Sequence, residues 1–281
     1  MIWCQGRILD DAELAIPATD RTFEHGLGLF ETLRTWNGQA TLLEAHKARM
    51  LRSAEALGIP LRPETLPSSD DVARLLEAEG NACDRVLRIT ASGGSIDRPS
   101  VVWLRTRPLP PAFENGLRVA GGIAWVDASH DLARHKSLNY LARGRAYESA
   151  REQGFDEAIL HSAPVTALEG SRSNLFVVDG RTLRTASLDA PIVPGIMRGL
   201  VIAIARELGI AVIDGERGIS FTSVREASEA FLTNSVRGIM PIAMARMALG
   251  SVDVAWPAPG PVTRVLQQAL LERLHSGASF P

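Results

Sequence analysis

The sequence predicts a mixed α/β (α+β) chain in two domains, and three observations carry that prediction. The chain has 281 residues, long for one compact domain and comfortable for two. Strand-like and helix-like segments alternate in both halves. Pro108-Leu109-Pro110-Pro111 interrupts every pattern, because proline lacks a donor and fixes φ. The boundary is therefore expected at 108–116, giving domains 1–110 and 111–281.

In the first half, residues 1–9 read as a strand and Asp10-Asp11 as a turn. Leu29–Trp36 alternates apolar and polar residues as a strand does, and Asn37-Gly38 after it is a hairpin signal. Thr41 with Glu44 reads as a capping box. It opens a helix to Leu57 with Leu43, Met50, Ala54 and Leu57 on one face, stopped by Gly58. A helix over Asp71–Glu79 and strands over Val86–Ala91 and Val101–Arg105 follow.

The second half reads as strand Leu117–Val126, helix Asn139–Gln153, and strands Glu157–His161 and Asn174–Val178. Then come helix Ile196–Leu208, a strand near Ala211–Ile213, a capping box at Ser223–Glu226, strand Ala230–Thr233 and helix Val262–Leu274.

Composition excludes several classes of function. Thirty basic against 32 acidic residues leave a net charge of −2, with no basic run to draw nucleic acid or an anionic membrane. No apolar run approaches the roughly 18 residues of a membrane helix. Met1–Arg7 lacks the pattern of a signal peptide, and Cys4 and Cys83 form no framework, so a reducing cytoplasm is expected. The chain contains no P-loop, no complete dinucleotide fingerprint around Gly26-Leu27-Gly28, and no nucleophile elbow. Its six histidines, His130 and His135 among them, lack metal-ligand spacing, so no metal is expected.

One count is more telling. Of the 30 basic residues, 28 are arginine; only Lys47 and Lys136 are lysine. An amine can lose its proton near neutral pH and form a Schiff base, which guanidinium cannot. Lys47 lies within the helix after Thr41, where a lysine is ordinarily a solvated face residue. Lys136, in His135-Lys136-Ser137-Leu138-Asn139-Tyr140, stands just before an expected helix. A helix N-terminus opposes a cation and lowers the pKa of an amine held there.

A Schiff-base lysine suggests pyridoxal phosphate (PLP), whose other needs can be sought in the sequence. Its phosphate wants helix N-termini, small-residue loops and an arginine. Its pyridine nitrogen wants a carboxylate. Pro194-Gly195-Ile196-Met197-Arg198 opens a helix with a turn, and Thr233-Asn234-Ser235 ends a strand in small polar residues. The stretch from Val165 to Ser171 carries the acid Glu169.

In this order the segments resemble the class IV aminotransferases, the fold-type IV PLP enzymes. The resemblance covers nearly the whole chain. It rests on Asp20-Arg21 with Gly28–Arg34, on His46–Ala54, and on Lys136–Tyr140. Glu169–Phe176, Val193–Arg198 and Phe231–Ser235 complete it. The resemblance implies a two-domain PLP enzyme in which Lys136 holds the cofactor and then moves the substrate proton. It implies that Glu169 faces the ring nitrogen and that Arg49 reaches the phosphate. Ile196 and Met197 would donate backbone N–H groups to the phosphate, with Asn234 and Ser235 as further donors. Ser173 and Asn174 would line the cofactor, and Phe30 and Arg88 the substrate pocket. A homodimer acting on a small amino substrate is implied, its active site between the domains and bordered by the partner chain.

The chain departs from the family pattern in places. Met197 replaces a usual threonine, Ala186 a usual proline, and Ser92-Gly93-Gly94 lacks the usual arginine. The Arg-Thr-x-His trap of D-amino acid aminotransferases is absent from Arg105-Thr106-Arg107-Pro108. The spacing from Lys136 to Tyr140 resembles the aminodeoxychorismate lyases and the D-amino acid enzymes, and the run Thr233–Pro241 resembles the lyases. Branched-chain or D-amino acid aminotransfer is the alternative. A non-catalytic binding protein on the same fold is the third possibility.

Overall fold

The computed structural model describes residues 1–80, 83–126, 131–163, 166–247 and 253–275; Val165 and His130 of the sequence reading lie outside them. The described chain divides into two compact units. One is Met1–Pro110 with His135–Asn139, and the other is Pro111–Arg134 with the chain from Tyr140 on. The segment bearing Lys136 thus packs with the first unit, although it follows the boundary in sequence.

The first unit is a six-stranded sheet packed against helices. Its first strand pair, β1 (Ile2–Cys4) and β2 (Arg7–Leu9), is a hairpin rather than the single expected strand. Gln5 and Gly6 turn the chain with φ of 46° and 87°. Next come α1 (Arg21–His25), β3 (Gly28–Trp36), β4 (Gln39–Ala40), α2 (Leu43–Ala56), α3 (Ser69–Ala78), β5 (Arg85–Ser92) and β6 (Val102–Pro108). The strand order is β2-β1-β6-β5-β3-β4, and Asn37-Gly38 joins β3 to β4 as the dipeptide predicts. Leu29, Leu33, Leu87, Ile89 and Leu104 form a core with Leu43, Met50 and Ala54 of α2 and Val72 and Leu75 of α3.

The Thr41 capping box does not form. Leu42 is the N-cap, at φ 54°, Thr41 Oγ1 is buried without a partner, and Glu44 pairs with Lys47 instead. Real capping boxes occur at Asp10/Glu13 and Ser68/Asp71, where the acid reaches back to the cap backbone.

The second unit begins with β7 (Leu117–Trp125), α4 (Leu141–Glu152), β8 (Glu157–Ala163), β9 (Thr166–Gly170), β10 (Asn174–Asp179) and β11 (Thr182–Thr185). It continues with α5 (Ile196–Glu207), β12 (Ala211–Ile213), β13 (Ile219–Ser220), α6 (Phe221–Glu226) and β14 (Glu229–Asn234). It ends with β15 (Gly238–Arg246), β16 (Val254–Ala255) and α7 (Pro261–His275). The cap of α6 is Ser220, not the expected Ser223, whose backbone N–H it accepts.

The main strand order is β12-β11-β10-β14-β15-β7-β8-β9-β13. Strand β9 also pairs with β10, at Glu169 opposite Asn174, and so closes a barrel-like ring. Two buried faces explain the unbroken apolar run Leu175–Val178, with Phe176 stacked on Phe231 at 5.0 Å between centroids. Glycine at the start of α5 makes room for the Asn174 side chain. A Cβ on Gly195 would fall 1.9 Å from Asn174 Oδ1.

Candidate active site

Lys136 is positioned by backbone pairing. The Phe30 N–H donates to the Lys136 carbonyl at 2.9 Å, and Leu138 N–H donates to the Gly28 carbonyl at 2.9 Å. Ser137 bridges Leu29 across these bonds. A Cβ at Gly28 would lie 2.6 Å from Leu138 Cδ1, so a side chain there would push the segment away. The expectation that Lys136 stands at a helix start needs correction. Helix α4 begins only at Leu141, and Lys136 runs in extended backbone along β3.

The Lys136 ammonium nitrogen sits over the Phe30 ring, 4.3 Å from its centroid, and the Arg88 guanidinium carbon lies 3.8 Å from the same centroid. Phe30 is buried, so this is a partly desolvated cation–π arrangement. Arg88 faces the ring because β5 pairs with β3 at Arg88 opposite Thr32 and Thr90 opposite Phe30, which puts both side chains on one face.

Behind Phe30 lies a group the motif search did not single out. Glu31 is buried and takes Arg49 Nε on Oε1 at 2.8 Å and Arg49 Nη2 on Oε2 at 2.5 Å. His46 Nδ1 approaches Oε2 at 2.7 Å. Burial opposes the Glu31 charge, but Arg49 and His46 overcome it and bring the carboxyl down to about 2. Burial pushes His46 below its ordinary value, so we read it as neutral, donating through Nδ1; its Nε2 is buried without a partner. Alternation in β3 puts Phe30 and Glu31 on opposite faces, and the i,i+3 spacing brings His46 and Arg49 to the same carboxylate. His135, next to Lys136, meets Ser53 Oγ at 3.0 Å.

In the second unit, barrel closure sets Glu169 beside Asn174. The buried Glu169 carboxylate accepts from Asn174 Nδ2 at 3.1 Å, from Val193 N–H at 3.2 Å, and from Arg143 at 2.5 Å. Burial disfavours the Arg143 charge, yet Glu169 more than restores it, and the guanidinium pKa is raised. Tyr140, the N-cap residue of α4, donates its hydroxyl to the Ser171 carbonyl at 2.7 Å, and burial raises its pKa. Glu157 accepts from Ser171 Oγ at 2.5 Å, and burial raises its pKa as well.

Ile196 and Met197 occupy the first turn of α5, where N–H groups have no intrahelical acceptor. Asn234 closes the β14–β15 hairpin, its Oδ1 accepting from Val236 and Arg237 N–H at 3.0 and 2.9 Å; Ser235 follows it in the turn. Each unit therefore gathers its own part of the expected set: Lys136, Phe30, Arg88 and Arg49 in one, and Glu169, Ser173, Asn174, Ile196, Met197, Asn234 and Ser235 in the other. Among the described residues no cluster of His, Cys, Asp and Glu could hold a metal ion, and no helix is long and apolar enough to cross a membrane.

The model of the amino-transferase class IV family matches residues 28–245. This chain belongs to the class IV aminotransferases. It is 29% identical over 254 residues to a putative branched-chain-amino-acid aminotransferase of Methanocaldococcus jannaschii, covering 86% of each chain. It is 30% identical over 260 residues to the aminodeoxychorismate lyase of Bacillus subtilis, covering 86% of this chain and 85% of that one. The structure of a branched-chain aminotransferase from Thermoproteus uzoniensis with norvaline superposes with a TM-score of 0.85 at 28% identity, covering 98% of this chain and 95% of the other.

This class IV aminotransferase is a PLP-dependent enzyme. Its residues fit the cofactor. Ser173 Oγ and Thr233 Oγ1 are buried polar atoms without a protein partner, as donors to an anion or ring would be. The first turn of α5, at Ile196 and Met197, has N–H groups without intrahelical acceptors, which a phosphate could use. Glu169 is a buried carboxylate, the kind of group a ring nitrogen would need.

Proposed function

We propose that the chain is a 4-amino-4-deoxychorismate lyase, releasing pyruvate and leaving 4-aminobenzoate. On this reading Lys136 holds the cofactor and Glu169 faces its ring nitrogen. Ser173 and Asn174 line the ring, while Arg49, Ile196, Met197, Asn234 and Ser235 serve the phosphate. Bound PLP supplies an electron sink for the carbon that carries the substrate amine.

Lys136 Nζ takes the proton from that carbon, the bond from the adjacent ring carbon to the enol-ether oxygen breaks, and Lys136 returns a proton to the methylene carbon of the departing enolpyruvyl group as that oxygen becomes the pyruvate carbonyl. The amine ends as it began, and substrate atoms equal product atoms with no water or oxidant consumed. Phe30 gives the ammonium a place to rest between the two transfers.

Arg88 carries the choice of substrate. It is held against Phe30 beside Lys136, where it can meet a carboxylate. Segment 92–94 offers no cation: Ser92 Oγ donates to Asp20, and the carbonyls of Gly93 and Gly94 accept from Arg21. In aminodeoxychorismate the carbon bearing the amine carries no carboxylate, so one distant cation suits it. An α-amino acid needs its carboxylate gripped beside the amine. Branched-chain aminotransfer is the second reading, supported by the M. jannaschii relative. The lyase reading further implies a cytoplasmic homodimer in folate synthesis.

The test uses one preparation. Pyruvate release from aminodeoxychorismate is expected, and Lys136→Ala should lower it at least about 10³-fold while abolishing the borohydride-sensitive visible absorbance. Amino transfer from amino acids to 2-oxoglutarate without pyruvate release would overturn the lyase assignment.

A further inference from the structure

A basic residue in the first turn of a helix opposes the helix dipole, and Arg143 is such a residue, three positions after the N-cap of α4. It is not there for solvent. Its side chain is 13% exposed and its Nη2 is 2.5 Å from Glu169 Oε1. The second oxygen of Glu169 takes the neutral amide of Asn174 instead. One cation therefore leans on one oxygen of the carboxylate that the proposed function turns toward the ring nitrogen.

We infer that Arg143 is a positioning residue that sets the charge of the ring-nitrogen partner: it keeps Glu169 anionic and weakens its hold on a shared proton. The inference rests on the reading that Glu169 faces that nitrogen. A guanidinium beside a carboxylate favours the ionised form, and it repels a proton shared between the carboxylate and a ring nitrogen. The electron sink is strongest when the nitrogen is protonated, so Arg143 holds the sink below its full strength.

Tyr140 at the start of α4 and Arg198 on α5 also lie within electrostatic reach of Glu169, while Glu157 on β8 and Arg172 in the β9–β10 turn lie within reach of Tyr140. Arg143 is the group that makes the close ion pair, its Nη2 lying 2.5 Å from Glu169 Oε1. Arg198 donates to the Ala186 carbonyl at 2.7 Å, and Glu157 accepts from the Ser171 hydroxyl.

The experiment reconstitutes the enzyme with PLP isotope-labelled at the ring nitrogen and follows that nitrogen by NMR across pH. Arg143→Met is expected to raise the pH at which the nitrogen loses its proton by about 1 to 3 units. Arg143→Lys keeps the charge and is expected to restore most of the native position. An unshifted Arg143→Met curve overturns the inference, as does a Lys variant that behaves like Met. Glu169→Gln separates the two claims. If it leaves the ring-nitrogen signal unchanged, the placement of Glu169 at the ring fails; if it changes the signal while Arg143→Met does not, only the role of Arg143 fails. Should Arg143→Met not fold, Arg143→Gln carries the same expectation.

Discussion

Two buried glutamate–arginine pairs, one in each unit, use the same groups in different ways. In the first unit Arg49 closes its fork on both oxygens of Glu31, and His46 adds a third donor. In the second, Arg143 touches one oxygen of Glu169, and a side-chain amide and a backbone N–H supply other contacts. A fork fixes an arginine in plane and orientation and shares its charge with both oxygens. A single contact fixes less and leaves the carboxylate able to respond to another cation. The first arrangement suits holding helix α2 and strand β3 together, and the second suits a group that must meet a ligand.

That contrast can be tested by taking each pair apart. The largest effect is expected from Glu31→Met. It takes from the buried Arg49 guanidinium the carboxylate that holds its fork, at a cost of about 3–5 kcal/mol in denaturant unfolding of the apoenzyme. Replacing both, as Glu31→Met with Arg49→Met, should recover most of that loss; no recovery would show that the pair is not an isolated unit.

Acid is the next lever. Glu31 has a folded value of about 2 against an ordinary 4.5, so it stabilises the fold above pH 4.5. That contribution, about 3 kcal/mol, is lost as pH falls through 2 and is checked by apoenzyme unfolding in acid. The Glu31→Met protein should lack this part of the acid dependence.

Glu169→Gln keeps the shape of the side chain and an acceptor for Asn174 or Val193. A smaller loss of about 1–3 kcal/mol is expected, together with weaker PLP binding to the apoenzyme. A loss as large as that of Glu31→Met would erase the distinction between the pairs.

The smallest effect is expected from His46→Asn. It can keep a donor to Glu31 while its amide oxygen takes the place of Nε2 as the buried polar atom without a partner, so unfolding should shift by about 1 kcal/mol.

Much of the fold was legible because local signals agreed with burial. The alternation in β3, the Asn37-Gly38 turn and the apolar faces of α2 and α3 each had one consistent reading. Strands β9, β11 and β15 were not singled out from their pattern. Thr166–Gly170 is short and small, and Gly238–Arg246 contains a proline at a position tolerated only because of where that strand pairs. Thr41 failed as a cap because the turn at Leu42 adopts a left-handed backbone, which no propensity signals there.

Lys136 was found by its rarity, although the helix argument used for it belonged to Arg143, seven residues on. Glu31 and His46 were within quoted motifs yet unassigned, since only pairing between β3 and α2 reveals that they share a carboxylate. Arg143 carried one readable sign, a cation in the wrong turn of a helix, and such a sign implies a nearby anion.

The ring of strands in the second unit is closed between β9 and β10 by the short turn 171–173, where Gly170 N–H donates to the Ser173 carbonyl at 2.7 Å and Glu169 stands opposite Asn174. The chain itself joins those two staves, so the hoop does not part there, and a ligand seated against that turn, where the proposed function puts PLP, would lend its binding free energy to every stave. Loading the enzyme should therefore slow amide exchange around the whole circumference, and vitamin supply would govern how long each molecule survives as well as how fast it works.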